Sequence, residues 1–342
     1  MLGFVGCGNM AQAMLKGILS KGLYAKDDIL VSRRNEEALQ NIQKEFGVNV
    51  TTDNAEVAKQ ADVLILAVKP FQFETVISEI RNEVSENTLV ISIAAGQTIA
   101  NIEKLFGKTI KLVRSMPNTP ALVLEGAAGV CYNDHVSEDD KKTTMEIFSS
   151  FGVANEVSES MIDTVIGVSG SSPAYVFMFI EAMADAAVAD GMPRAQAYEM
   201  AAQSVLGSAK MVLETGKHPG ELKDMVCSPA GTTIEAVRVL EEKGFRSAVI
   251  EAMKACVKKA KEIGMKIILN PSPMNEKIKE LPLDQINYFL LNEIEAMQIL
   301  DMEEPKEIDG KYISGLLHQK FPEATIILTL GSEGSVCISG DE

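Results

Sequence analysis

A glycine-rich turn near the N-terminus constrains the fold of this chain more than any other stretch of its sequence. The segment "GFVGCGNMAQAM" places Gly6, Gly8 and Ala11 in a G-x-G-x-x-A pattern, directly after a short apolar run and at the start of a helical pattern. Gly6 permits a tight turn, Gly8 lets the backbone approach a pyrophosphate, and Ala11 allows close packing of helix on strand. The pattern therefore predicts a dinucleotide site, and a plain strand-to-helix turn is the alternative.

Short apolar runs alternate with helical patterns through the first half of the chain. The runs are "LGFVG", "ILVS", "VLILAV", "TLVISIAA", "IKLVRSMPN" and "AAGVCYN", and helices are predicted over residues 10–23 and 36–46. Nearly continuous apolar strands of this kind are typical of a parallel sheet that is covered by helices on both faces. We therefore predict an α/β fold that begins with a Rossmann domain over residues 1–160.

The pattern becomes helical from about residue 163 and stays so to residue 264, which predicts an all-α domain over 161–264. Three glycines follow helical patterns at positions suited to left-handed helix C-termini, namely Gly216, Gly244 and Gly264. The apolar stretch "PAYVFMFIEAMADAAVADGM" contains three acidic residues, so it is interpreted as a buried helix and not as a membrane span.

The composition changes near residue 265. Residues 265–342 contain 6 Lys, no Arg and 14 acidic residues, so they carry −8, half of the formal net charge of −16. Strand-like runs resume there with "KIILNP", "INYFLLN" and "ATIILTLG", and helices are predicted over 274–280, 293–300 and about 312–320. We therefore predict a separate, incomplete α/β segment over residues 265–342.

The charge and the cysteines exclude several classes of protein. A net charge of −16 argues against a nucleic-acid or anionic-membrane partner, because both need clustered Lys and Arg. The five cysteines are scattered and form no C-x-x-C motif, so neither a disulfide framework nor a metal site is predicted. The N-terminus lacks the basic start of a signal peptide. A cytoplasmic protein acting on a small molecule is the expectation.

The residues after the second predicted strand indicate which dinucleotide is bound. An Asp or Glu at this position would bond the ribose 2′-hydroxyl, whereas "ILVSRRN" supplies Ser32, Arg33 and Arg34. A hydroxyl and two guanidinium groups suit a 2′-phosphate, so NADP(H) is favoured and NAD(H) is the alternative. For the two arginines, a solvated surface pair is the competing interpretation.

Residues 1 to about 264 resemble pyrroline-5-carboxylate reductase. The resemblance rests on "GFVGCGNMAQAM", "DVLILAVKP", "VRSMPNTP", "VSGSSPAYVF", "HPGELKDMVCSPAGTTIEAV" and "GFRSAVIEAM". It implies hydride transfer from NAD(P)H to the C=N carbon of 1-pyrroline-5-carboxylate, which gives L-proline in the last step of proline biosynthesis. It also implies a helical domain that interleaves with a partner's in a homodimer, and dimers that assemble into a larger homo-oligomer.

The resemblance further implies which residues form the site. The expected cofactor contacts are Gly6, Cys7, Gly8, Asn9, Met10, Ala11, Ser32, Arg33, Arg34, Asn54, Ala67, Val68, Lys69, Pro70, Ala94, Ala95 and Gly96. The expected substrate contacts are Glu159, Ser228, Gly231, Thr232 and Thr233, with Thr233 the catalytic candidate that bonds the ring nitrogen. Free backbone N–H groups in the loop 228–233 suit a carboxylate, and an ordinary threonine N-cap is the alternative there.

Two residues depart from the family pattern, which has Gly where this chain has Ser172 and Ala230. If either backbone has a positive φ, the side chain costs about 1 kcal/mol or more. His218 is expected to cap a helix start and not to transfer a proton. Asn118, which lies between two prolines, either shapes the nicotinamide pocket or satisfies its own loop.

Two other functions stay open at the level of sequence. One is a different NADPH-dependent imine or hydroxyacid reductase that uses Glu181 or Asp185, and the other is a non-catalytic NADP-binding oligomeric scaffold. The segments "IILNPSPM", "YFLLNEIEAMQIL" and "IILTLGSEGS" resemble the middle of ribokinase-like sugar kinases, with an Asn-Glu motif at Asn292 and Glu293. No G-x-G-D motif follows them, so no kinase activity is expected from residues 265–342.

Overall fold

The structure, a computed structural model, divides the chain into two compact units, Met1–Ile263 and Gly264–Glu342. It describes residues 1–262, 268–271, 288–302, 309–322, 324–331 and 334–339, together with the single positions 278, 283 and 286. Each unit contains a sheet of its own.

An eight-stranded sheet organises the first unit, with the strand order β3-β2-β1-β4-β5-β6-β7-β8. The strands are β1 (Leu2–Val5), β2 (Ile29–Ser32), β3 (Asn49–Thr51), β4 (Val63–Leu66), β5 (Leu89–Ser92), β6 (Lys111–Met116), β7 (Gly126–Tyr132) and β8 (Gly152–Glu156). The order reverses between β1 and β4, and ligands of such sheets bind in the crevice beyond the carboxyl ends at this reversal.

Helices cover both faces of this sheet, as the apolar strands require. They are α1 (Asn9–Ser20), α2 (Glu36–Phe46), α3 (Asn54–Gln60), α4 (Phe73–Ile80), α5 (Ile99–Phe106) and α6 (Glu138–Ser149). Successive residues of a strand point to opposite faces of the sheet, and each face has its own buried cluster. Phe4 packs in one cluster with Phe148, whereas Val5 packs in the other with Phe73. The predicted bounds of α2 are confirmed, and α1 ends three residues earlier than predicted.

The prediction that the sheet is parallel throughout is wrong for β7 and β8. β7 runs antiparallel to β6, with Val113 opposite Tyr132, and β8 runs parallel to β7. A parallel partner would need a crossover of about a dozen or more residues, and the connection from Met116 to Gly126 is too short for one. The sequence also missed β3 and β8, because both are short, contain no buried residue and so show no apolar run.

Helices make up the rest of the first unit. They are α7 (Ile162–Val165), a π-helical turn (Ile166–Gly170), α8 (Ser172–Ala189), α9 (Arg194–Thr215), α10 (Pro219–Val226), α11 (Thr232–Glu242) and α12 (Phe245–Glu262). Gly216 and Gly244 have φ values of 64° and 73°, which confirms two of the predicted left-handed C-termini. The third, Gly264, lies outside the described residues.

The long helix α8 is not buried within the single chain, so the interpretation of this stretch as a buried helix is wrong for the chain alone. Only Ala184 of α8 is buried, because this region packs mainly as a helix pair, α8 on α9, and not around a central core. Among the described residues, Glu159–Ala189 is long and apolar enough to cross a membrane, a test that core helices of soluble proteins also pass.

The second unit is a smaller α/β body with the strand order β12-β11-β10-β9. Its described elements are β9 (Ile268–Leu269), β10 (Tyr288–Asn292), α13 (Glu293–Ile299), α14 (Gly310–Lys320), β11 (Thr325–Thr329) and β12 (Ser335–Ile338). Phe289 and Phe321 stack in its core with ring centroids 4.7 Å apart. β12 runs antiparallel to β11 and was missed by the sequence analysis. The predicted helix 274–280 lies outside the described residues, apart from position 278.

Candidate active site

The glycine turn joins β1 to α1 and leaves an open space at the helix start. Gly6 has a φ of +84°, and a Cβ there would lie 2.7 Å from Cγ1 of Val68. Gly8 is the N-cap of α1, and no atom of the described chain lies within 4 Å of where its Cβ would be. The first hydrogen bond within α1 runs from the Gln12 N–H to the Gly8 carbonyl. The preceding N–H groups can therefore face an anion in that space.

Cys7 contributes backbone and not side-chain chemistry to this turn. Its side chain is buried in the core beneath the sheet's carboxyl edge, and burial raises the pKa of the thiol to about 12. The thiol is therefore neutral at physiological pH and is a packing group. Its carbonyl accepts a hydrogen bond from Nη1 of Arg33 at 3.0 Å, which draws that guanidinium toward the turn.

The end of β2 holds three linked polar side chains. Ser32 is fully buried, and its Oγ donates to Oδ1 of Asn54 at 2.7 Å. Nδ2 of Asn54 donates in turn to Oε2 of Glu79, also at 2.7 Å. The structure thus brings the predicted residues Ser32, Arg33 and Asn54 together beside the glycine turn, while Arg34 is exposed. Glu79, on α4, was missed, because no sequence pattern connects it to the other two residues.

The loops after β4 and β5 form the other side of the crevice. They contain the remaining predicted cofactor contacts, which are Ala67, Val68, Lys69, Pro70, Ala94, Ala95 and Gly96. Nε2 of Gln97 donates to the Pro70 carbonyl at 3.2 Å, so the two loops are tied together. Gly96 has a φ of +74°, Lys69 is exposed, and the side chain of Phe71 is 83% exposed. Phe71, which follows Lys69 and Pro70, therefore places a solvent-exposed aromatic ring at this edge of the crevice.

Asn118 ties the sheet to the helical region. Its Nδ2 donates to the carbonyl of Ser169 in the π-helical turn at 2.9 Å, and its Oδ1 accepts from the Ala127 N–H at 2.8 Å. Both ends of the buried amide are therefore used in holding the loop, which supports the second of its two predicted roles. The π-helical turn itself was missed, although such turns are frequent at functional sites.

Glu159 acts as a clamp between elements of the first unit. Its Oε1 accepts hydrogen bonds from the Ile99 N–H and from Nη1 of Arg114, each at 2.8 Å. The Arg114 side chain is only 7% exposed, whereas the Glu159 side chain is 37% exposed, so only the guanidinium end of this ion pair is desolvated. The contacts of Glu159 are thus with the start of α5 and with β6, and its expected contact with substrate stays a prediction.

The loop 228–233 presents an uncapped helix start. The N-cap of α11 is Gly231, which has no side chain with which to cap the helix, so the alternative of a threonine N-cap is wrong. The Gly231 N–H donates to the Ser228 carbonyl at 3.1 Å, and a Cβ at Gly231 would collide with Oγ of Ser228. The N–H groups of Thr232 and Thr233 lie in the first turn of α11 and are suited to bind an anion.

The two departures from the family pattern have different consequences. Ala230 has a φ of 56°, so its side chain costs about 1 kcal/mol relative to glycine. Ser172 starts α8 in ordinary helical conformation and carries no such cost. His218 accepts from the Gly220 N–H at 3.0 Å as the N-cap of α10, which confirms its predicted capping role. Asp185, a candidate for the alternative reductases, is paired with Arg194.

Comparisons with known proteins agree on one family. Family models match residues 159–263, described as pyrroline-5-carboxylate reductase dimerisation, and residues 1–96, described as NADP oxidoreductase coenzyme F420-dependent. Pyrroline-5-carboxylate reductase of Escherichia coli is 54% identical over 262 residues, which are 77% of this chain and 97% of that protein. The Methanosarcina acetivorans enzyme is 46% identical over 78% of this chain and 98% of its own length.

Solved structures give the same result. A pyrroline-5-carboxylate reductase from Coxiella burnetii superimposes with a TM-score of 0.74 at 40% identity, covering 78% of this chain and 98% of that one. The Plasmodium falciparum pyrroline carboxylate reductase, solved with NADP bound, superimposes with a TM-score of 0.70 at 34% identity, covering 77% and 98%. The ribokinase-like resemblance of residues 265–342 receives no support from these relatives.

Proposed function

The chain belongs to the pyrroline-5-carboxylate reductase family, and we propose from this premise how its residues reduce 1-pyrroline-5-carboxylate to L-proline. It is an NAD(P)H-dependent oxidoreductase of proline biosynthesis, and NADP(H) is its cofactor. The observation that carries the assignment is 54% identity over 97% of a relative with that name.

The crevice at the carboxyl ends of β1 and β4 fits a dinucleotide. The open space at Gly8 accepts a pyrophosphate against the start of α1, and Arg33 with the exposed Arg34 offers cations for a 2′-phosphate. The tied loops after β4 and β5 hold the other end of the crevice in place. When bound, the cofactor supplies the hydride for the C=N carbon.

The loop 228–233 binds the carboxylate of the imine. The uncapped N–H groups at the start of α11 suit an anion, and the left-handed Ala230 and the Gly231 contact with Ser228 fix the loop that presents them. Thr233 is half-buried, and its hydroxyl hydrogen-bonds the ring nitrogen of the substrate. A protonated imine is the better hydride acceptor, so this hydroxyl orients the ring and a strong acid is not required.

Thr233→Ala tests this assignment. We expect kcat/KM for 1-pyrroline-5-carboxylate to fall about 10- to 100-fold, because a hydrogen bond to a charged group is lost, while the Kd for NADPH changes less than about twofold. Steady-state kinetics and a fluorescence titration of NADPH measure the two effects. Thr233→Ser, which keeps the hydroxyl, is the matched control and restores most of the activity. Parent-like kinetics of Thr233→Ala would remove Thr233 from the site.

The protein is a homo-oligomer, since its helical region matches the family's dimerisation model. We propose that α8 and α9 form the core of a homodimer and that dimers assemble further. Large apolar side chains stay exposed on both helices in the single chain, among them Phe177, Met178, Met200, Leu206 and Leu213. Several large apolar side chains exposed on neighbouring helices of a folded chain mark an interaction surface.

We propose that residues 1–160 bind the dinucleotide, that 161–264 bind substrate and partner, and that 265–342 are an appended unit without kinase activity. In that unit Asn292 and Glu295 cap α13 reciprocally, at 2.9 and 3.0 Å, and Glu295 is buried. One side-chain oxygen of each residue is therefore used in holding the helix start. The proposed cytoplasmic location agrees with the five free cysteines.

Removing the second unit tests this division. We expect a chain ending at residue 263 to reduce 1-pyrroline-5-carboxylate with kcat and KM within about twofold of the full chain, because the two units have separate cores. Kinetics and the thermal melting of both proteins are compared. Loss of activity in a shortened chain that melts like the parent would show that the second unit takes part in the reaction.

A further inference from the structure

Asn118 does not cap the short helix that it precedes. It is the N-cap of the 3₁₀ helix Thr119–Val123, a position where an asparagine side chain ordinarily accepts from a backbone N–H of the first turn. Within the part of the chain that the structure describes, its side chain makes no such bond. Asn118 is only 8% exposed, and its amide instead joins the start of β7 to the π-helical turn.

The bond to the π-helical turn satisfies a carbonyl that the sequence deprives of its helical donor. In an α-helix the Ser169 carbonyl would accept from the N–H of residue 173, but that residue is a proline and has no N–H. One residue further on, the Ala174 N–H donates to the Ser171 carbonyl at 3.1 Å. Nδ2 of Asn118 donates to the Ser169 carbonyl at 2.9 Å. Asn118 thus replaces a hydrogen bond that Pro173 removes.

The bond to β7 fixes which way the amide faces. Oδ1 of Asn118 accepts from the Ala127 N–H at 2.8 Å, and a backbone N–H can only donate. The NH₂ end must then lie toward the Ser169 carbonyl, which can only accept. Because a flipped amide would lose both bonds, Asn118 holds the π-helical turn in one position relative to β7.

The π-helical turn packs at the nicotinamide end of the crevice. Each half of a Rossmann sheet holds one mononucleotide, and the adenosine half is the one that contains β2. The nicotinamide half therefore lies at the carboxyl ends of β4, β5 and β6. Asn118 comes two residues after Met116, the last residue of β6, and a Cβ on Gly170 would lie 3.5 Å from Cε of Met116. The turn is thus in contact with the end of β6.

We propose that Asn118 is a positioning residue that holds the π-helical turn at the end of β6, so that the nicotinamide and the imine meet at reacting distance. The inference rests on the proposed function of this crevice. Asn118 acts through the Ser169 carbonyl and not on the reacting atoms themselves. Because α8 begins two residues after Gly170, a shift of the turn also moves the start of that helix. Small displacements of reacting groups slow a reaction strongly.

Single-turnover reduction of 1-pyrroline-5-carboxylate, followed by the loss of NADPH absorbance, tests the proposal. For Asn118→Ala we expect the rate constant to fall about tenfold, while the Kd for NADPH changes less than about twofold. Asn118→Asp keeps an oxygen for the Ala127 N–H but offers no donor to the Ser169 carbonyl, so its rate constant falls at least as far. A loss of folded protein would lower the amplitude of the turnover and leave the rate constant unchanged.

Hydrogen exchange in the protein without cofactor gives a second readout. The Ser171 N–H donates to the Ile166 carbonyl at 2.8 Å, and we expect exchange within residues 166–174 to be faster in both Asn118 variants. Asn133→Ala is the matched control. Oδ1 of Asn133 accepts from the Leu112 N–H and its Nδ2 donates to the Ile110 carbonyl, at the opposite end of β6. We expect this control to melt below the parent and to keep the parent's rate constant and its exchange within residues 166–174.

The other outcomes separate the proposal from its premise. A parent-like rate constant in either Asn118 variant overturns the proposal, and so does unchanged exchange within residues 166–174. An equal fall of the rate constant in Asn133→Ala overturns it as well, since the loss of any such amide would then suffice. If the parent protein does not reduce 1-pyrroline-5-carboxylate, the proposed function of the crevice fails instead.

Discussion

Replacing Gly8 with valine is expected to raise the Kd for NADPH about 100-fold while the protein stays folded. Apart from its own chain neighbours, the Cβ position at Gly8 has no described atom within 4 Å, so a side chain begins there in open space. The valine methyl groups then occupy the space at the start of α1 where a pyrophosphate must approach the backbone. Steric exclusion of the phosphates, with loss of N–H contacts, accounts for the size of the effect.

The cost to the fold is expected to be small for Gly8→Val and large for Gly6→Ala. Valine at the N-cap of α1 costs about 1 kcal/mol. An alanine at Gly6 must adopt a φ near +84° with its Cβ 2.7 Å from Cγ1 of Val68 and 2.9 Å from the Ala67 carbonyl. Gly6→Ala should therefore lower the melting temperature, which Gly8→Val should nearly preserve.

Fluorescence titration with NADPH, together with thermal melting, measures both effects. Gly22→Ala is the matched control, because Gly22 also has a positive φ, +64°, but no described atom lies within 4 Å of its Cβ position. We expect this control to lose about 1 kcal/mol of stability and to bind NADPH like the parent. Parent-like binding by Gly8→Val would show that the pyrophosphate does not lie against this turn.

The dinucleotide crevice could be predicted from the sequence because its geometry is local. The glycine turn, the strands β1, β2, β4 and β5, and the start of α1 all follow from spacing within a few residues and from unbroken apolar runs. β3 and β8 could not be predicted, since neither short strand contains a fully buried residue and neither leaves an apolar pattern. The direction of β7 depends on the length of a loop, a feature that strand patterns do not report.

The chemistry at the end of β2 was only half predictable. The residue types at Ser32 and Arg33 indicated a phosphate site, but the Ser32 hydroxyl is buried against the Phe4 carbonyl and Asn54, and Asn54 in turn bonds Glu79. Those side chains come from three elements that are far apart in sequence. Hydrogen bonds between such elements arise from the packing of α3 on α4 and have no periodic signature.

The burial of the helices in the region 161–264 could not be predicted from the sequence. The apolar residues of this region led to the expectation of a buried helix. A sequence shows that a helix is apolar, but it does not show whether the same chain or a partner chain buries that helix. In the single chain Phe177 is 64% and Leu213 is 77% exposed. The exposed faces of α8 and α9 lie within residues 159–263, which match the family's dimerisation model.

Changing Phe177 and Leu213 together to glutamate is expected to convert the oligomer to monomers and to lower kcat/KM about 100-fold or more. Burying one large apolar side chain contributes about 1.5–3 kcal/mol, and an unpaired charge in its place adds a desolvation cost. In a symmetric dimer each substitution occurs twice, so the effects double at the interface. Activity falls with assembly because the substrate loop 228–233, between α10 and α11, belongs to the same helical region whose α8 and α9 lose their partner.

Light scattering after size-exclusion chromatography gives the mass, and the reductase assay gives the activity. Gln43→Glu adds one negative charge, half of that in the double variant, at an exposed position of α2 and is expected to change neither the mass nor the activity. Leu213→Ser is the milder variant, and its dimer is expected to dissociate at a higher protein concentration than the parent dimer does. Its activity is expected to recover as the protein concentration is raised. An oligomer of unchanged mass in the double variant, with intact helical circular dichroism, would show that α8 and α9 do not form the dimer core.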